Sequence, residues 1–192
     1  MKQNQYPGIL PFAASVEWYK LNSEAEELRC IDFDCKLGLF ACNRFRIDAP
    51  EGFREISVPL LSEGKKGRYS DLKVDYREKW NKKLINALKT GYGNSPFYQY
   101  YDYEIENILN IEYETFKDLN VAVRNWTLMV LKWNQQIEWV DNEEVIAQTT
   151  EVKPYYQVFQ DKYGFRPGMS ILDLIFCEGT DAGILLLNSK ES

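Results

Sequence analysis

Three stretches of this sequence carry side chains whose types and order could do chemistry. The first is Asn43-Arg44-Phe45-Arg46, between an apolar segment and the alternating run that begins near Glu55. A guanidinium is a planar fork that meets carboxylate or phosphate in two-point contact, so Asn43, Arg44 and Arg46 read as an anion clamp. The alternative is internal ion pairing to acids such as Asp32 or Asp34. The second stretch is the densest polar-aromatic set, Tyr155-Tyr156-Gln157 through Phe159-Gln160-Asp161-Lys162-Tyr163. Tyrosine faces stack on sugar or base rings while amides and carboxylates bond to hydroxyls. On this reading Tyr156, Gln157, Gln160 and Lys162 bind substrate, and Asp161 and Tyr163 are the acid-base candidates. The alternative is an aromatic loop packed on helices. The third stretch, Lys65-Lys66-Gly67-Arg68, could cradle a phosphate through backbone N–H groups. It lacks the P-loop spacing and reads more simply as a solvated hairpin tip.

What these groups can do is bounded by what is missing. The chain has no histidine. Ser-His-Asp and Cys-His catalysis, His-ligated zinc and His general bases are therefore excluded. Any acid or base must be Asp, Glu, Lys, Tyr or Cys with its pKa moved by burial or neighbours. Cys30, Cys35, Cys42 and Cys177 have neither zinc-ribbon nor CxxC spacing and read as small buried apolar residues. No metal site and no cofactor are implied. A net charge of -6 argues against general nucleic-acid binding, which depends on Lys and Arg displacing counterions. The polar N-terminus has no signal-peptide core and no stretch is apolar enough to span a bilayer, so a cytoplasmic protein is expected.

The elements that must position these residues follow from periodicity. Residues 9–11 read as a strand, Ser15–Leu21 as a helix and Leu28–Asp34 as a second strand, a βαβ opening with parallel pairing. Glu55–Leu60 and Asp71–Tyr76 each alternate apolar with polar, and the Gly-rich turn between them predicts an antiparallel hairpin. A helix carrying Trp80, Leu84, Ile85 and Leu88 should stop at Thr90-Gly91, and Ser95-Pro96 should start another. Phe116, Leu119, Val123, Trp126, Val130 and Trp133 form the buried stripe of a third. Residues 137–140 suggest one more short strand, and 141–168 a long irregular loop of the kind that carries function. Ser170 should cap a helix with Asp173 completing a capping box, and a last helix runs towards Leu187. The expected fold is α/β: a small mixed sheet with an N-terminal βαβ unit and a β-hairpin, then a mostly helical C-terminal half. At 192 residues a single domain over 1–192 is expected.

Several of these segments together resemble the WbqC-like family. The C-terminal run Pro154-Tyr155-Tyr156-Gln157 through Gly164-Phe165-Arg166-Pro167 and Ser170-Ile171-Leu172-Asp173 is similar to the family's closing signature. Ile9-Leu10-Pro11 with Glu17-Trp18-Tyr19, Cys42-Asn43-Arg44-Phe45-Arg46-Ile47, Lys79-Trp80-Asn81-Lys82-Lys83 and Gly91 through Phe97 resemble other parts of it, in order. Leu84 stands where many members carry histidine: if that histidine serves catalysis, activity is lost or altered here, and if it is a structural or binding group, little is lost. The resemblance implies a bacterial protein associated with surface-polysaccharide and O-antigen loci. It implies a transferase acting on an activated sugar or glycan precursor, or alternatively a non-catalytic binding or scaffold protein. Its partners would be that small molecule and either a second copy of the chain or a glycan-assembly enzyme. The ligand site is expected where the 153–168 loop approaches Asn43, Arg44 and Arg46.

Overall fold

The computed structural model describes residues 5–35, 41–61, 67–141 and 144–187. Ser15 accepts the amide of Trp18 and so starts the first helix, α1 (Val16–Leu21). Strand β1 (Glu27–Ile31) follows, with Leu28, Cys30 and Ile31 buried. Strands β2 (Arg44–Ala49) and β3 (Gly52–Ser57) form an antiparallel hairpin in which Arg44 faces Ser57, Arg46 faces Glu55 and Asp48 faces Phe53. Gly52, at φ 125°, permits the tight return. Three long helices come next: α2 (Trp80–Tyr92), α3 (Tyr98–Asn110) and α4 (Phe116–Leu131). Strand β4 (Gln136–Val140) returns to pair in parallel with β1, Glu27 beside Gln136 and Ile31 beside Val140. A single helical turn, α5 (Gln160–Tyr163), then α6 (Ile171–Glu178) and α7 (Ala182–Leu187) complete the chain.

The α/β class and the helix-rich second half match expectation, and an antiparallel hairpin forms, but between β2 and β3. Pairing partners differ. Residues 9–11, expected as the first strand, enter no ladder, because their carbonyls serve side chains. Ile9 O accepts the Trp18 indole and Leu10 O accepts the Tyr69 hydroxyl and the Asn120 amide. The parallel neighbour of β1 is therefore β4, supplied from more than a hundred residues away. Of the hairpin expected between Glu55–Leu60 and Asp71–Tyr76, one antiparallel bridge forms, Leu60 with Val74. Glu55 and Ile56 pair instead with β2. Lys65 and Lys66 lie outside the described residues.

Gly91 does not end α2. It sits inside the helix because a Cβ there would lie 2.3 Å from the carbonyl oxygen of Asp48, so only glycine lets α2 approach β2 this closely. Ser95 caps the end of α2 through a bond to Tyr92 O, and α3 begins at Tyr98. Phe116, Leu119, Val123, Trp126 and Val130 are buried as their spacing predicts, with the Trp126 indole donating to Glu104. They belong to one hydrophobic cluster reaching from Ile9 to Leu186. All four cysteines are buried and free, and burial pushes Cys30 up to about 12 and Cys35 up to about 11.

Candidate functional site

Successive strand residues point to opposite faces, so Arg44, Arg46 and Asp48 share one face of β2. Along it the surroundings change from water to protein interior.

At the Arg44 end lies an open cleft of about 460 Å³. Arg44, Arg46 and Glu55 line its hairpin side. Ser15, Gly168 and Ser170 line the other, together with Gln5, Tyr6 and the buried Trp18. The two sides meet because Ser170 N donates to Arg46 O and because Ser15 and Ser170, the caps of α1 and α6, face each other in an antiparallel bridge. Glu55 is shared: one oxygen is 3.5 Å from Arg44 Nη1 and the other 3.6 Å from Arg46 Nε. Both distances lie at the outer limit of an ion pair. The Arg46 guanidinium also lies 4.7 Å from the centre of the Phe53 ring. Among the described residues the lining thus holds two cations and one carboxylate, in a chain of net charge -6.

At the Asp48 end the same face is sealed. Asp48 is fully buried, its Oδ1 accepting from Ala49 N and forming an ion pair with Arg166. Burial raises its pKa, while Arg166 opposes the shift. The Tyr92 hydroxyl accepts Asp48 N at 2.7 Å and donates to Asp173 Oδ1 at 2.8 Å. Asp173, also fully buried, accepts on its other oxygen from Tyr155 at 2.6 Å and Gln157 at 3.0 Å. Burial pushes Asp173 up to about 6, and these three donors hold it from going higher. Burial and the nearby carboxylate push the Tyr92 and Tyr155 hydroxyls well up, so they remain donors. Gln157 closes the loop on itself, giving its amide to Arg166 O and accepting Arg166 N. The result is a dry polar clasp that fastens residues 155–168 to β2 and α6.

This arrangement sorts the residues that the sequence singled out. Arg44 and Arg46 line the cleft and both pair with Glu55, while Asp32 is taken by Arg68 and Ser70. Asn43 bonds to Val58 O and steadies the strand end. Gln157 is fully buried inside the clasp. Tyr156 is exposed, its amide held by Glu178. The α5 turn rests on the tip of the hairpin, where Lys162 Nζ and Tyr163 Oη both donate to Pro50 O. Asp161 is exposed beside them and Gln160 is half-buried. Pro50 is four residues along β2 from Arg46, roughly 13 Å at the usual strand rise. The structure therefore brings Gly168 and Ser170, at the end of the loop, to the arginines, and leaves Asp161, Lys162 and Tyr163 at the far end of the hairpin.

Asp48, Tyr92 and Arg166 are the polar residues that sequence reasoning did not single out. Asp173 was expected to complete a capping box; instead Ser170 Oγ accepts Leu172 N and the Asp173 carboxylate turns inward. The available signal was Asp48 itself, an acid in an otherwise apolar run from Phe45 to Ala49 apart from Arg46. A charge at such a position needs a partner.

Residues 41–151 match the model of the WbqC-like protein family, more than half of the chain. The chain belongs to the WbqC-like family. No curated protein and no solved structure matches it. The matched span contains the whole hairpin, α2 to α4 and β4, hence Arg44, Arg46, Asp48, Glu55 and Tyr92. It stops short of residues 155–173, so the other half of the clasp and the Ser170 side of the cleft are built from chain outside the match. Among the described residues of this WbqC-like chain no helix is long and apolar enough to cross a membrane, and no group of three or more Cys, Asp or Glu residues could hold a metal ion.

Proposed function

We propose that this WbqC-like protein binds a phosphorylated or carboxylated sugar, an activated sugar or glycan precursor, in the cleft between β2 and the caps of α1 and α6. One observation carries the reading: Arg44 and Arg46 stand side by side in this cleft, and among the described residues that line it the two guanidiniums face one carboxylate, Glu55, on an acidic chain. An arriving anion can take up the Arg44 fork in exchange for its exposed 3.5 Å contact with Glu55. The Gln5 side chain, whose Oε1 accepts the Ser15 hydroxyl, brings an amide to the same cleft, suited to a sugar hydroxyl, and the start of α6 adds the positive end of a helix.

Binding fits this geometry better than group transfer. The expected acid-base pair, Asp161 and Tyr163, stands at the hairpin tip, and Tyr163 already donates to Pro50 O. Glu55 is the carboxylate at the cleft, and it is engaged by both arginines. The surface-polysaccharide setting that the family resemblance implies would supply ligands of this class, whether the protein delivers them to an assembly enzyme or acts on them itself.

Thermal unfolding with glucose 1-phosphate and UDP-glucose, against glucose alone, tests this. The phosphorylated sugars should raise Tm and glucose should not, since a ligand at about 100 times its Kd adds roughly 2.7 kcal/mol. The double substitution Arg44→Ala with Arg46→Ala should remove the rise. An unchanged Tm with every activated sugar, or a rise that survives the double substitution, refutes the assignment.

A further inference from the structure

Arg124 on α4 is 2% exposed, yet among the described residues no carboxylate meets it. Its Nη2 donates to Gln135, at 3.2 Å to the backbone oxygen and 2.7 Å to Oε1, and its buried Nε has no acceptor. Removing a guanidinium from water without an anion costs several kcal/mol, and two bonds to neutral carbonyl groups recover part of that. Burial accordingly pulls Arg124 below its ordinary pKa. Buried arginines of this kind are stable where something supplies the missing negative charge.

The surroundings suggest what that is. Arg124 lines an open cleft of about 560 Å³ between the end of α4 and β4, away from the hairpin. Asn125, Asn134, Gln135 and Gln136 give its walls amide groups and Trp133 gives an aromatic side. Among the described residues no Asp or Glu lines it, on a chain with 29 of them. Leu128 and Met129 place the C-terminal, negative end of α4 at the rim. That end, and the one cation among the described lining residues, disfavour a dianion such as phosphate more than a monoanion. One guanidinium matches one carboxylate, while amides match hydroxyl groups.

We propose that this cleft is a second ligand site that takes a small hydroxylated carboxylate, with its carboxylate on Arg124 and its hydroxyls on Asn125 and Gln136. It is independent of the hairpin cleft and stands if that assignment fails. A merely structural Arg124, tying α4 to Gln135, would matter for stability and show no selective response to ligands.

The test uses amide and indole NMR signals of the full chain with D-glucuronate, D-glucose and inorganic phosphate as probes. Glucuronate should shift the Trp133 indole and the Gln135 and Gln136 side-chain signals saturably, at the millimolar affinities expected of one charged contact with a few hydrogen bonds. Glucose should leave them in place. Arg124→Gln, which keeps an amide near Gln135, should abolish the response. If that variant does not fold, Asn125→Ala combined with Gln136→Ala decides, and should weaken binding several-fold. Arg44→Ala should leave the response intact. No saturable shift, an equal response to glucose or phosphate, or a response untouched by the Asn125 and Gln136 substitutions overturns the proposal.

Discussion

The two ends of one strand face make the most instructive comparison in this protein. Arg44 and Arg46 at one end, and Asp48 at the other, are charged side chains two residues apart on β2. At the open end, water screens the charges, the pairs with Glu55 are long, and the Arg44 side chain is 60% exposed. At the closed end, Asp48 is fully buried and held in a network through Tyr92, Asp173, Tyr155, Gln157 and Arg166, in which Nε and Nη1 of Arg166 are left without a hydrogen-bond partner. The difference is one of dielectric, not residue type. Exposed ion pairs contribute about 0–1 kcal/mol and can be exchanged for a ligand, whereas buried polar groups left unpaired cost 1–3 kcal/mol each. One end is therefore where the proposed ligand would bind, and the other is committed to holding residues 155–168 in place.

The strongest way to break this contrast is Asp173→Ala. It leaves the Tyr92 and Tyr155 hydroxyls and the Gln157 amide short of an acceptor, and should lower stability by about 3–5 kcal/mol. Urea unfolding measures it. A loss under 1 kcal/mol would mean that the clasp does not hold the fold. Gly91→Ala should cost somewhat less, about 1–3 kcal/mol, because the new methyl meets the Asp48 carbonyl and drives α2 off β2. A neutral outcome there would show that the helix and strand can part without disturbing the clasp.

A pH series sharpens the comparison without mutation. Asp173, at about 6, and Asp48, also raised, bind a proton more readily in the folded chain than in the unfolded one. Between the ordinary carboxyl value and about pH 6 the folded state thus carries more protons, and stability falls as pH rises through that window. The urea midpoint should be higher at pH 5 than at pH 7, and Asp173→Asn should flatten the trend. Asp75, held down to about 2 by its hydrogen bonds to Arg77, acts only at lower pH. A midpoint that falls on acidification to pH 5 would contradict the assigned direction. The smallest effect belongs to the open end: Arg44→Ala should change stability by less than about 1 kcal/mol. A loss as large as that of Asp173→Ala would make Arg44 an internal anchor and erase the contrast.

Local pattern settled much of this molecule. The alternating three-and-four spacing from Phe116 to Val130 marked a buried helix face, and Ser15 and Ser170 marked two helix starts, because each signal acts within a turn or two of chain. The absence of histidine confined acid-base chemistry to other groups before any geometry was known. Arg44 and Arg46 were legible as a cationic pair in the same way. Tertiary structure decided which partners they and their neighbours meet. It gave the arginines Glu55, took Gln157 from a presumed binding face into the interior, and turned Asp173 from a cap into an acceptor for two tyrosines. It also made Gly91 a contact with Asp48 where a helix stop was expected, and paired β1 with a strand more than a hundred residues on. Propensity and periodicity report only a residue's own element and which face of it is wet. Whether a charge ends in a cleft or in a sealed network depends on which distant segment covers it, and local sequence carries no record of that choice.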